Sequence, residues 1–155
     1  MDEASFTEAI RRLEGRMYRT AVSMLWNDAD AADAMQECIL KAWLKHASLR
    51  DPACFDGWLM RILINECRNI QRRRRHVPLP LEEAVLQAEA VPDTGVRDAL
   101  KALPEQYRLP LVMHHLEEMD LPSIARALRL PVSTVKGRLF RARKQLQALL
   151  REEVE

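Results

Sequence analysis

Apolar residues recur at spacings of three and four along most of the chain, and no run alternates with the period of two that a half-buried strand requires. Phe6, Ile10, Leu13, Met17, Ala21 and Met24 predict a first helix to about Trp26, opened by Ser5 and Glu8 at capping-box spacing. A polar break at 27–30 follows. Ala31, Met35, Cys38, Ile39, Ala42 and Trp43 then predict a second helix from about Asp30 to Lys45. Asp51-Pro52 is a cap-then-proline start for a third helix, with Phe55, Leu59, Ile62, Leu63 and Ile70 inward. The pattern lapses over 76–95, which carries Pro78, Pro80, Pro92 and Gly95, and reads as a linker. Val96, Leu100 and Leu103 resume it, and Pro104 starts a helix through about Leu116 in which Pro110 predicts a kink.

The last part of the chain has a more specific pattern. Pro122 to Leu128 predicts a short helix with Ile124, Ala125 and Leu128 buried, and Arg129, Leu130 and Pro131 form a turn. Arg129 stands where such turns usually carry Gly in a left-handed conformation. Ser133 is the expected N-cap of a second helix with Val135, Leu139, Ala142, Leu146 and Leu149 on its protein side. Lys136, Gly137, Phe140, Arg141 and Lys144 then face outward, with Ser133, Thr134 and Arg138 also candidates for DNA contact. Eight basic residues and no acidic one lie between Leu121 and Arg151. Basic charge on the second of two helices joined by a short turn suits the helix-turn-helix use of phosphate contacts.

Composition narrows the class. Gly is scarce while Ala, Leu, Arg and Glu abound, so the fold class is all-α: two small helical domains, 1–75 and 96–155, joined by the linker 76–95, the second ending in a helix-turn-helix. Net charge is +1, distributed as 13 basic and 11 acidic residues over 1–75, none and 4 over 76–95, and 11 and 8 over 96–155. Three cysteines without CxxC spacing, and no signal peptide or long apolar run, indicate a reduced, cytoplasmic, soluble chain. The four histidines and three cysteines lack metal-ligand spacing, so neither a metal nor another cofactor is expected. Without a Ser-His-Asp set, a paired-carboxylate pocket or a phosphate-binding Gly loop, the chain is not read as an enzyme.

Two faces in the first half carry chemistry. Asp30, Asp33 and Glu37, with Gln36 adjoining, share one side of the second helix, and by residue type alone this is an ordinary solvated face near a helix start. Trp58, Arg61, Asn65, Arg68 and Arg72 follow one another by three or four on the third helix. An aromatic, an amide and three guanidiniums in line suit single-stranded nucleic acid, through base stacking and phosphate contacts. A core-facing Trp on a solvated amphipathic helix fits the same spacing.

Three segments in order resemble the extracytoplasmic-function (ECF) sigma factors of bacterial RNA polymerase. DADAADAMQECILKAW is similar to their D-x-x-Q-E helix, and FDGWLMRILINECRNIQRRRR to the F-x-x-W-L-x-R-I-x-x-N helix with its basic end. LPEQYRLPLVMHHLEEMDLPSIARALRLPVSTVKGRLFRARKQL resembles their fourth region. The resemblance covers roughly Ser5 to Arg75 and Val96 to Leu150. It implies a promoter-specificity subunit whose partners are core RNA polymerase, promoter DNA and, in regulated members, an anti-sigma factor, with no membrane insertion. Asp30, Asp33, Gln36 and Glu37 would dock on the clamp helices of the largest polymerase subunit. His46 to Pro52, Trp58, Arg61 and Asn65 would capture the melting minus-10 element, and Lys136, Gly137, Phe140 and Arg141 would read the minus-35 element in the major groove. Leu103 to Leu116 would grip the polymerase flap.

Departures from the family pattern limit this transfer. Gly137 replaces a common Ser, Arg129 replaces the turn Gly, and the loop His46 to Pro52 has its own composition, so the promoter sequence does not follow. The sequence stops at Glu155, soon after the recognition helix, so no further C-terminal domain is expected. Two alternatives remain at this stage: a stand-alone helix-turn-helix regulator, which leaves the acidic face and the Trp58 stripe idle, and a sigma mimic that sequesters an anti-sigma protein, which needs no basic recognition helix. The sequence names no residues that would hold the two lobes against each other.

Overall fold

A computed structural model describes residues 1–76 and 95–154, with side chains placed for all of these except 76 and 152–154. Every regular element among them is helical: α1 (Glu3–Leu25), α2 (Asp28–Lys45), α3 (Phe55–His76), α4 (Gly95–Ala102), α5 (Glu105–Leu111), α6 (Leu121–Leu128) and α7 (Val132–Val154). Single turns at His46–Ser48 and Pro52–Cys54 join α2 to α3. The linker expected at 76–95 falls almost wholly on 77–94, outside the described residues.

Helix starts show where local chemistry was misread. The cap of α1 is Asp2, whose carboxylate accepts from the Ser5 backbone N–H at 2.8 Å, so Ser5 lies inside the first turn. Asn27 caps α2 in the same way through the Asp30 N–H, starting that helix two residues before Asp30. Nor is Ser133 a cap: the Pro131 carbonyl already accepts from the Thr134 and Val135 N–H groups, and α7 begins at Val132. Pro131 needs no N–H of its own at this point, which removes the reason for a hydroxyl cap. Pro110 does perturb its helix, but as a widened turn. After Leu111 the backbone runs as a π turn over Val112–Leu116, with the Glu117 N–H reaching back five residues to the Val112 carbonyl.

The apolar stripes do what their period predicts. Leu13, Met17 and Ala21 of α1, Ala34, Cys38 and Ala42 of α2 and Leu59, Leu63, Ile64 and Cys67 of α3 are buried together. Ile124 and Leu128 of α6 and Val135, Leu139 and Ala142 of α7 belong to the same continuous core, with Leu103 and Met113 between. α3 packs against both α2 and α6, and α1 against α5 and the π turn, so the two halves of the chain share a face. Burying a Leu or Met side chain contributes about 1.5–3 kcal/mol relative to exposure, so apolar packing dominates the assembly.

Candidate nucleic-acid and partner interfaces

The helix-turn-helix forms from α6, a turn and α7. Asp120 caps α6, accepting from the Ser123 N–H at 2.8 Å, and these hydrogen bonds from Ser123 hold its carboxyl below the usual aspartate value. α6 ends at Arg129, whose φ of 56° and ψ of 47° place it in the left-handed region. The Leu130 N–H bonds to the Ala125 carbonyl at 3.0 Å, closing the helix as a Schellman-type end. Here an arginine does what glycine usually does.

α7 turns its basic side to solvent. Val135, Leu139 and Ala142 are buried, Leu146 and Leu149 are half-buried, and Ser133, Lys136, Gly137, Phe140, Arg141 and Lys144 are exposed. Thr134 and Arg138 are half-buried at the edge of that face. The Phe140 ring is 57% exposed with the Lys144 ammonium 4.5 Å from its centroid, a preformed aromatic-cation pair on an otherwise open surface. A Cβ at Gly137 would meet nothing within 4 Å, so no packing in this chain requires glycine there.

The stripe on α3 is divided. Asn65, Arg68 and Arg72 are exposed, and Arg72 donates to the Asn69 side chain at 2.7 Å, which fixes its guanidinium near the helix surface. Trp58 and Arg61 are half-buried, with Trp58 packed on the core and its ring 5.8 Å from that of Phe55. Of the two readings of this stripe, the core-packed Trp holds at its start, where the N-terminal turn of α3 also faces α6, and the outward reading holds from Asn65 on. In the adjoining loop, the Asp51 carboxylate accepts from the Ala53 N–H at 3.0 Å, and His46 stacks on Trp43 with centroids 4.5 Å apart.

On α2, Asp33, Gln36 and Glu37 are exposed as a group. Asp30 is separated from them chemically: it is half-buried and bound by the Arg74 guanidinium of α3, which also donates to the Leu25 carbonyl at 2.9 Å. Beside the exposed group stand apolar side chains that the sequence reading missed. Leu40 and Leu44 are 52% and 72% exposed, and Trp43, expected inward, lies at the surface edge against Phe6. The spacing Gln36-Leu40-Leu44, two positions beyond the buried Ala34-Cys38-Ala42 row, was the available signal. In the second half, Val96, Leu100, Leu111, Val112, Leu116 and Leu146 line an apolar depression of about 290 Å³, rimmed by His115 and Arg143. Arg143 donates to His115 Nε2 at 3.0 Å; partial burial first, then Arg143 and His114, lower the pKa of His115.

Among the described residues no group of three or more His, Cys, Asp or Glu side chains could hold a metal, and no helix is long and apolar enough to cross a membrane. Cys38 and Cys67 are buried, and burial pushes the Cys67 thiol up to about 12 and that of Cys38 still higher, so neither is a nucleophile. What the surface offers is binding: a basic helix face, an arginine-rich helix end, and two apolar areas beside polar groups.

Comparison with known proteins gives these faces a family. Residues 9–77 match Sigma-70 region 2 and residues 94–146 match Sigma-70, region 4. The chain is 31% identical over 154 residues to the ECF RNA polymerase sigma factor SigM of Mycobacterium tuberculosis, covering 96% of this chain and 79% of that protein. Among solved structures, the sigma factor RpoE of Bartonella quintana in complex with the anti-sigma factor NepR superposes with a TM-score of 0.78 at 22% identity, over 95% of this chain and 97% of that one. CnrH in complex with the cytosolic domain of CnrY gives 0.74 at 27% identity, over 97% and 90%. Helical architecture, the order of the two regions and sequence identity across nearly the whole length agree: the chain belongs to the ECF sigma factors of RNA polymerase.

Proposed function

We propose that this chain binds core RNA polymerase and directs it to promoters, with 1–75 and 96–155 acting as separate functional domains. The outward face of α7 carries the reading: Lys136, Gly137, Phe140 and Arg141 are exposed while Val135, Leu139 and Ala142 anchor the helix from behind. In this proposal α7 enters the major groove of the minus-35 element, with Ser133, Thr134 and Arg138 at its margin. Trp58, Arg61, Asn65, Arg68 and Arg72 hold the displaced strand of the minus-10 element. Asp33, Gln36, Glu37 and the exposed Leu40 and Leu44 dock on the clamp helices of the polymerase, and Asp30 supports that face through Arg74. The apolar depression beside α4 takes the flap.

Such a subunit acts by binding energy and has no covalent step of its own. Separating DNA costs about 1.4 kcal/mol per stacked base-pair step, and stacking a base on an aromatic side chain returns about 1–3 kcal/mol. With one aromatic residue, Trp58, in the proposed stripe, strand capture offsets only part of the opening cost, and the polymerase supplies the remainder. RpoE and CnrH were both solved with a second protein bound, and an anti-sigma partner for this chain is part of the proposal. The test is promoter-dependent transcription by purified core polymerase with and without the chain. Equal output from the two reactions would sink the reading, and tight operator binding without polymerase association would favour a stand-alone regulator.

A further inference from the structure

Lys144 is a cation of α7 to which the proposed reading face gives no role. It is exposed, has no ion-pair partner among the described residues, and no acidic residue lies between Leu121 and Arg151 to offer one. Its neighbour Arg143 is turned the other way, donating to His115 Nε2 at 3.0 Å on the rim of the apolar depression. Three residues before Lys144 stands Arg141, also exposed, and like charges at that helical spacing repel. In place of a counter-charge Lys144 has a ring: its ammonium lies 4.5 Å from the centroid of Phe140, which is itself 57% exposed. Helical side chains lean toward the N-terminus, so an aromatic residue four positions earlier is within a lysine's reach.

The pair stands where a recognition helix leaves the groove. A helix rises about 1.5 Å per residue, so Lys136 and Lys144 are about 12 Å apart along α7, the width of the major groove being also about 12 Å. Recognition helices meet base edges with their N-terminal residues, and the turns that follow come level with the phosphates. Lys144 is one turn beyond Phe140 and Arg141, the last residues of the proposed reading face. Resting on the sigma-factor reading, we propose that Lys144 contacts a phosphate of the minus-35 duplex and that Phe140 is the positioning residue that holds its ammonium ready for that contact.

The physical advantage is preorganisation. A lysine carries its charge on a flexible four-carbon stem and loses rotamer freedom when it is fixed on a phosphate. Laid on the Phe140 ring, Lys144 has lost part of that freedom before DNA arrives. An ammonium has three donors and the ring face covers one side of it, so donors remain for a phosphate oxygen. A phosphate beside Lys144 also relieves the repulsion from Arg141, which nothing in α7 between Leu121 and Arg151 neutralises.

Salt dependence tests the proposal, because counterion release counts phosphate contacts and is blind to base contacts. Binding of the full chain to a fluorescein-labelled, mixed-sequence duplex of about 30 base pairs is followed by anisotropy between about 0.05 and 0.2 M salt. Lys144→Gln is expected to reduce the magnitude of the slope of log affinity against log salt by about 0.9, a roughly 3.5-fold smaller loss of affinity over that range, whereas Lys144→Arg keeps the parent's slope. Phe140→Leu removes no charge, so a shallower slope in that variant reads the loss of a positioned lysine, and Phe140→Tyr, which keeps a ring, restores it. In Phe140→Leu/Lys144→Gln the slope falls no further than in Lys144→Gln alone. Both side chains are exposed, so these substitutions leave the core untouched. An unchanged slope in Lys144→Gln overturns the phosphate contact; an unchanged slope in Phe140→Leu, or additive losses in the double variant, overturns the positioning. A parent chain that does not bind the duplex refutes the α7 reading face and the proposal with it. A parent that binds DNA but yields no promoter-dependent transcript with core polymerase refutes the sigma-factor reading instead.

Discussion

Gly137 sits in the second turn of α7 on the exposed face, where glycine weakens a helix and nothing in the chain demands it. Replacing it with Ala adds a Cβ that meets no atom within 4 Å, so no steric penalty offsets the gain in helix propensity. That gain is about 0.8–1.0 kcal/mol for an interior helical position. For a chain of 155 residues it corresponds to a rise in melting temperature of about 2–4 °C. The same methyl projects toward the groove that Lys136, Phe140 and Arg141 are proposed to enter, and it removes the close approach that glycine permits. Gly137→Ala should therefore melt at higher temperature by circular dichroism yet bind a minus-35 duplex more weakly by fluorescence anisotropy. A lower melting temperature would mean that the Cβ meets an obstruction and the packing argument is wrong. Affinity that rises along with stability would remove Gly137 from the duplex-facing surface.

Other substitutions probe separate parts of the molecule. Arg129→Gly relieves a left-handed arginine, strain worth about 1–2 kcal/mol, against an unfolded-state entropy cost of about 0.4–1 kcal/mol; a net gain in thermal stability is expected that Arg129→Ala, which keeps a Cβ, does not show. Arg141→Ala should weaken duplex binding and reduce the salt slope by about 1 if the guanidinium meets a phosphate; unchanged slope and affinity would take Arg141 out of the interface. Asn65→Ala should leave polymerase association intact while lowering permanganate reactivity of the minus-10 region, because Asn65 is exposed and supports no packing; normal reactivity would contradict its role in strand capture. Asp120→Ala should cost about 1 kcal/mol through loss of the α6 cap. Because hydrogen bonds from Ser123 lower the folded pKa of Asp120 below its ordinary 3.8, this carboxylate's contribution is complete above 3.8 and disappears as pH falls through the lower folded value. Asp120→Asn should retain most of the cap and lose that acid dependence, as read from melting temperature against pH.

Periodicity was enough for the elements, because helical spacing of apolar residues is a local property that tertiary packing rarely overrules over runs of fifteen or more residues, whereas the family came from the resemblance of three motif segments in order. Val135, Leu139 and Ala142 lie inward, and Lys136, Phe140 and Arg141 outward, as their spacing requires. Even the left-handed turn at Arg129 was legible, since the length of a helix-turn-helix turn imposes that conformation whatever residue occupies it. Caps were less so. Asp2 and Pro131 took the starts expected at Ser5 and Ser133, and Asn27 opened α2 before the expected Asp30, because the choice depends on where the preceding chain arrives.

Tertiary structure alone decided what depends on two distant segments meeting. No pattern along α2 shows that Asp30 is taken by Arg74 while Asp33 and Glu37 stay free. Spacing placed Trp58 and Arg61 on the same stripe as Asn65, but the arrival of α6 at Gly57 gives the two ends of that stripe different surroundings. Nor did Arg19 and Glu117, 98 residues apart, announce themselves as partners. A charge in sequence is a solvated group until the fold removes its water, and only burial makes its partner obligatory. Residue spacing and motifs thus determined the helices, the outward face of α7 and the family; the packing of one half on the other decided which charges are paired and which part of the Trp58-to-Arg72 stripe is covered.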